Sequence, residues 1–195
     1  MDDYKTKTDL ILPFNGTWTV TNGGRDASTN SHKRSPDQGP QSQLYAYDFR
    51  NGHTGNGENL EDYEVFGKEV LAPGDGEIIQ VISGAYDNKP GERDRNVGIG
   101  NAIIIDHKNG EYSLLGHFKY NSIRVRVEDI VKAGDVIGLC GNTGNTSEPH
   151  IHFGLQDGSR LSNEKSLFTQ FRKIIVNGEI KENYEPVRGD KVSNT

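Results

Sequence analysis

Two of the six histidines, His150 and His152, stand two residues apart in Pro149-His150-Ile151-His152-Phe153. Side chains alternate across a β-strand, so residues i and i+2 project from the same face. The spacing therefore places both imidazoles together and turns Ile151 and Phe153 toward a core. Neutral imidazole is a common zinc ligand, and a second imidazole beside it can serve a bound water. Two exposed strand histidines would show the same spacing, so the pair alone leaves both readings open. Asp48 is the next candidate, because it sits in Tyr45-Ala46-Tyr47-Asp48-Phe49. An ionised carboxylate among aromatics is costly unless it meets a cation or a set of donors. The alternative is a carboxylate that accepts backbone hydrogen bonds at a strand end. His117 follows the strand-like Tyr112 to Leu115 near a turn, where a lone histidine reads as surface or structural.

The elements that must position these groups are mostly short strands. Alternation around Phe14, Trp18 and Val20 predicts a strand over Leu10 to Thr21. Asn22 to Ser42 is a long polar loop rich in Gly, Ser, Asn and Pro, and a loop of that length is mobile or functional. Tyr45 to Phe49 resumes a strand, and Asn51 to Asn59 forms a second loop around His53. Glu69 to Ile82 reads as two strands about the turn Pro73-Gly74-Asp75-Gly76. Tyr86 to Asn96 is a charged loop. Ala102 to Ile105 is a continuous apolar run suited to a strand buried on both faces, and Lys108-Asn109-Gly110 turns the chain back into Tyr112 to Phe118. Ser122 to Val127 alternates again, Val136 to Leu139 follows a turn, and Ile151 to Leu155 carries the histidine pair. A short helix is expected over Ser166 to Ile175. The sum is an all-β, mainly antiparallel protein: a β-sandwich or half-open barrel with long loops framing a groove.

Bulk properties narrow the function. A chain of 195 residues is long enough for one domain with its own core. A hydrophobic fraction of 32% and 24 glycines suit a turn-rich β protein better than a helical bundle. The net charge of −6 supplies no basic field for nucleic acid, and Arg124-Val125-Arg126 reads as the wet face of a strand. The one cysteine, Cys140, lies in an apolar run and is expected to be a buried thiol. No run approaches the roughly 20 apolar residues of a membrane span. Met1-Asp2-Asp3-Tyr4-Lys5 lacks the apolar core of a secretion signal, so the protein either stays inside the cell or has lost its signal.

Several segments, taken in order, resemble the lysostaphin-like (LytM-type) zinc endopeptidases that cut peptidoglycan cross-bridges. They are Tyr45-Ala46-Tyr47-Asp48-Phe49, Val70-Leu71-Ala72-Pro73-Gly74-Asp75-Gly76, Gly100 to His107, Leu115-Gly116-His117-Phe118, Lys132 to Gly138, Gly141-Asn142-Thr143-Gly144 and Pro149 to Phe153. The resemblance covers about residues 43–157, leaving an N-terminal strand and loop over 1–42 and a C-terminal extension over 158–195 of a single metallopeptidase domain. It implies Zn²⁺ held by a histidine, an aspartate and the second histidine of the pair, which assigns Asp48 and His152 as metal ligands. His117 and His150 would be catalytic and flank the metal-bound water; His107 matches a frequent family position too, but its place at a turn after the buried strand reads as structural. The usual first ligand is a histidine four residues before the aspartate, and Leu44 stands there. The third ligand must come from elsewhere, and the histidines left are His32 and His53, the alternative being no histidine at all. A family branch with a Gln-x-Tyr-Ala-x-Asp strand, matching Gln43 to Asp48, takes its histidine from upstream, and this favours His32.

The implied reaction is hydrolysis of peptide bonds in peptidoglycan cross-links, in the cell envelope, the periplasm or outside the cell if a signal has been removed. The loops Asn22 to Ser42, Asn51 to Asn59 and Tyr86 to Asn96 would wall the groove. No nucleic-acid partner is expected, and the chain is taken as a monomer by default. The Leu44 departure also admits a non-catalytic scaffold, activator or wall-binding domain with a degenerate metal site. A biotinyl- or lipoyl-type barrel would need a modified lysine at a hairpin tip, and no Met-Lys pair exists.

Overall fold

Alternating and β-branched segments assemble into one long antiparallel sheet, seen in a computed structural model that describes residues 4–33, 43–161 and 164–195. Residues 34–42 of the long polar loop lie outside the described residues. The strands in chain order are β1 (Trp18–Asn22), β2 (Tyr47–Arg50), β3 (Glu69–Leu71), β4 (Gly76–Ile82), β5 (Ala102–Asp106), β6 (Tyr112–Gly116) and β7 (Ile130–Val131). They continue with β8 (Val136–Leu139), β9 (Ile151–Gln156), β10 (Ser166–Leu167), β11 (Phe171–Val176), β12 (Glu179–Tyr184) and β13 (Lys191–Asn194). The sheet runs β12-β11-β13-β1-β2-β9-β6-β5-β4-β7, with β10 also on β9, and it does not close. A separate ribbon pairs β3 with β8.

The period of two in each strand divides this sheet into two chemically different faces. Tyr47, Phe49, Ile151, Phe153 and Leu115 are all buried and join Phe14, Trp18, Val70, Ile137 and Phe171 in one core cluster. That cluster seats the β3–β8 ribbon and the N-terminal segment on the same side of the sheet. The intervening residues Asp48, His152 and Gly116 occupy the other face. Register fixes their relation: Asp48 is paired with His152, and His152 with Gly116. A slip of one residue would send the carboxylate into the aromatic core, so burial of Tyr47 and Phe49 holds the site in place.

Three expectations from the sequence are corrected. The first strand begins only at Trp18, because the chain turns at Gly16 (φ 81°); Leu10, Leu12 and Phe14 are fully buried without forming a ladder. Ser122 to Val127 forms no strand, and it lies between the positive-φ residues Asn121 and Glu128. Ser166 to Ile175 is not helical: it forms β10 and most of β11. Ile174, Ile175 and Val176 are β-branched, and Asn177-Gly178 supplies two positive φ angles (53° and 89°) for a two-residue turn into β12.

Candidate metal centre

Asp48 and His152 meet across the β2–β9 ladder, with Oδ1 of the carboxylate 3.0 Å from His152 Nδ1. Both are buried, at 8% and 2% exposure. His32 arrives from a 3₁₀ turn, Ser31–Lys33, and places Nε2 3.0 Å from Asp48 Oδ2. That turn is anchored by Asn30, which is fully buried. Its side-chain amide donates to the carbonyls of Gly24 and Ala46, and its Oδ1 accepts from the His32 backbone N–H. One ligand-type atom each from His32, Asp48 and His152 lie within 4.8 Å of one another.

His117 and His150 stand beside this trio. The His117 and His150 rings are 4.7 Å apart, His117 and His152 5.7 Å, and these three histidines form a second tight group. His117 Nδ1 lies 2.7 Å from the Thr143 carbonyl oxygen, and His150 Nδ1 2.9 Å from that of Glu148. A carbonyl oxygen only accepts, so each Nδ1 carries the hydrogen, and in the neutral ring each Nε2 is left as a bare acceptor. His150 Nε2 is 3.4 Å from Asp48 Oδ1.

Charge in this cluster is sharply divided. Burial disfavours ionisation of Asp48, but His32 and His150 attract the anion and imidazole hydrogen bonds stabilise it, so its carboxyl lies well below the usual range. Burial opposes the His32 cation too, yet the adjacent Asp48 wins and raises its pKa. His117 is driven well down by burial and then by repulsion from His150 and His152. Burial also lowers His152, against the pull of Asp48. The result is one buried anion among imidazoles, two of which favour the neutral form.

The donors fit a divalent metal of zinc type. Two imidazoles and one carboxylate are zinc ligands, and three protein ligands are the number a catalytic zinc site uses. His152 Nε2 is buried with no hydrogen-bond partner among the described residues, which is unusual for a polar atom in a finished core.

The cluster opens on a cleft of about 940 Å³. Its walls come from Thr21, Asn22, Ser31 and His32, from Arg93 and Asn96 to Gly100, from Asn145 to Glu148, and from Leu161 and Arg188. The Asn51 to Asn59 loop, expected as a wall, does not line it. His53 is exposed on that loop, with its ring against Tyr63, and lies outside the cluster. His107 is buried elsewhere, bonded through Nδ1 to the Asp75 carbonyl and through Nε2 to Ser113 Oγ. Cys140 is a buried free thiol. Neither spacing nor residue type pointed to Asn22, which contacts Asp48, or to the Thr143 carbonyl behind His117.

Residues 57–164 match Peptidase family M23. The chain belongs to this family. The matched stretch contains His117, His150 and His152 and begins downstream of His32 and Asp48. M23 peptidases are zinc-dependent metalloproteases, and the open all-β fold agrees with solved M23 structures. The chain is 31% identical over 116 residues to an uncharacterized metalloprotease of Buchnera aphidicola subsp. Baizongia pistaciae, covering 60% of this chain and 27% of that protein. It is 41% identical over 59 residues to the DD-carboxypeptidase/endopeptidase Mpg of Neisseria meningitidis serogroup B, covering 30% of this chain and 13% of that protein. The match thus spans well under half the length of either relative. Among solved structures, pseudoalterin, a novel M23 metalloprotease from the deep sea, superposes with a TM-score of 0.55 at 20% identity, over 94% of this chain and 96% of that one. No helix among the described residues is long and apolar enough to cross a membrane.

Proposed function

We propose that this M23 chain is a zinc-dependent endopeptidase that hydrolyses peptide bonds in peptidoglycan cross-links. His32, Asp48 and His152 hold the metal, and His117 and His150 act on the substrate side. The observation that carries the reading is the convergence of all five groups on one open cleft: a carboxylate bracketed by His32 and His152, with two further imidazoles at its edge.

Zinc held there supplies a Lewis acid that polarises a peptide carbonyl and acidifies water. The chain's own residues do the rest. The Asp48 anion would offset the charge of the metal, and its two oxygens hold the His32 and His152 rings in place. His117, neutral and with Nδ1 committed to Thr143, presents Nε2 as a proton acceptor facing the cleft. His150, fixed through Nδ1 to Glu148, presents a second Nε2 that takes up or returns a proton and stabilises charge on the attacked carbonyl. Thr146 Oγ1 lies 3.1 Å from the same His150 Nδ1 and braces the ring. With a substrate in the wall, the enzyme works in the cell envelope, the periplasm or outside the cell.

The test joins metal content to product identity. Purified protein should carry about one zinc per chain, and digestion of isolated walls of several chemotypes should release fragments whose masses place the cut in a peptide cross-link. Protein that takes up zinc but leaves every wall intact would reduce the reading to a wall-binding scaffold.

A further inference from the structure

We propose that Asn22 is the positioning residue of the metal centre: fixed by Arg188 from the C-terminal segment, it locks the Asp48 carboxylate and the His32 turn into one arrangement. The inference rests on the metal reading above and goes beyond it, since neither residue lies in the stretch matched by the family.

The first observation is a bulge. Val20 pairs with Phe49, but the next paired residue of β1 is Asn22, opposite Asp48, so Thr21 is the extra residue. In an unbroken antiparallel register Thr21 would face Asp48, and Asn22 would face Tyr47 on the core side. The bulge therefore turns Asn22 from the core face to the site face, a use to which bulges near functional sites are suited. Thr21 is not wasted, because its Oγ1 donates to the Asp48 backbone carbonyl.

The second observation is that the Asn22 amide has no freedom to turn over. Its Oδ1 accepts from Ser31 N–H (3.1 Å), Ser31 Oγ (2.7 Å) and Arg188 Nη2 (2.7 Å), all of them donors in this arrangement. The oxygen is thus fixed toward Ser31 and Arg188, and Nδ2 must face Asp48, where it donates to Oδ2 at 2.6 Å. Arg188 is itself held by the backbone carbonyls of Thr21 and Ser28. Oδ2 is also the oxygen that His32 Nε2 approaches, and Ser31 immediately precedes His32. One side chain thus ties together the carboxylate, the loop that delivers the upstream histidine, and a segment outside the family core. A ligand delivered from a loop needs such bracing more than one delivered by a strand, and partners that orient metal ligands commonly govern affinity.

The test is zinc affinity by chelator competition on the full chain, with the Co²⁺-substituted visible spectrum as a second readout. Asn22→Ala should lower zinc affinity about 10- to 100-fold and shift the Co²⁺ bands, with the melting temperature of the metal-free protein little changed. Asn22→Asp, which sets a second carboxylate against Oδ2, should do at least as much. Arg188→Ala should give a smaller loss in the same direction, and Arg188→Lys should recover part of it. If parent and Asn22→Ala bind zinc within twofold and give the same Co²⁺ spectrum, Asn22 is a loop fastener only, and the inference fails while the metal reading stands. A parent protein that takes up neither ion would overturn both.

Discussion

Asp48 and His152 are direct cross-strand partners on β2 and β9, and the pairing sets Oδ1 and Nδ1 3.0 Å apart on the face opposite Tyr47 and Phe153. The contact is a product of register. The aromatics on the core side cannot be moved without unpacking Phe14, Trp18 and Phe171, so the two polar groups meet by default. The other oxygen of the same carboxylate meets His32, a residue of a loop and so free of that register. The centre therefore has a rigid half and a half that depends on loop bracing.

Removing the rigid half should abolish metal binding. Asp48→Ala and His152→Ala are each expected to lose both zinc and hydrolysis, as metal analysis and wall digestion on the same preparations will show. His32→Ala should lower zinc affinity steeply, whereas His53→Ala, at an exposed position, should bind zinc like the parent. Zinc lost from His53→Ala but kept in His32→Ala would reverse the assignment of the third ligand.

His117 should prove separable from the metal. Its backbone sits at φ 63°, a region that Asn tolerates better than other side chains. His117→Asn therefore removes the imidazole without adding much backbone strain, and His117→Ala serves as its partner. Both should retain one zinc, while turnover falls about 10²-fold or more through lost proton transfer. A variant with full zinc and full activity would remove His117 from the reaction.

Much of this site was legible in the sequence because strands repeat every two residues. The period of two put His150 and His152 on one face, and they fall in one tight group; the cost of a carboxylate between Tyr47 and Phe49 marked Asp48, and its cross-strand pairing with His152 sets it on the face opposite those aromatics. The position of His32 was not legible from spacing, because a loop has no period, and it came from the resemblance of Gln43 to Asp48 to one branch of the family. Asn22 was invisible for another reason: its face depends on a bulge, and no residue type near Thr21 announces one. The expected helix over Ser166 to Ile175 failed through a neglected signal, since Asn177-Gly178 after three β-branched residues marks a hairpin.

Acid should destabilise the metal-free protein partly through His107. Burial holds its pKa below the ordinary histidine value, against weaker opposing help from the Asp75 carbonyl. The unfolded chain then binds more protons than the fold between that depressed value and about 6.5, so this contribution is complete above about pH 6.5 and is lost as pH falls toward the folded value. His117 and His152 act with the same sign and His32 with the opposite one, so the subtraction must be made by mutation. His107→Gln should be less stable at pH 7, with a shallower fall in urea midpoint between about pH 7 and 5. Parallel curves for parent and variant would show that His107 contributes nothing to the slope.

Gly144 should matter to catalysis through the backbone it leaves room for. It has φ 87°, and a Cβ there would lie 2.5 Å from both Gly100 N and the Gly98 carbonyl oxygen, backbone atoms that cannot swing aside. The adjoining Thr143 carbonyl is the acceptor that fixes His117 Nδ1 at 2.7 Å. Gly144→Ala should therefore cost about 1–3 kcal/mol of stability for the strained backbone and also displace that carbonyl. Zinc should remain, because neither Gly98, Gly100 nor Thr143 belongs to the His32–Asp48–His152 trio, while turnover should fall. A double-mutant cycle decides whether the fall runs through His117. If Gly144→Ala works by misaligning that ring, it should cost little further activity in a His117→Asn background, and the two losses will not add. Full additivity would mean that the glycine shapes the cleft by some other route.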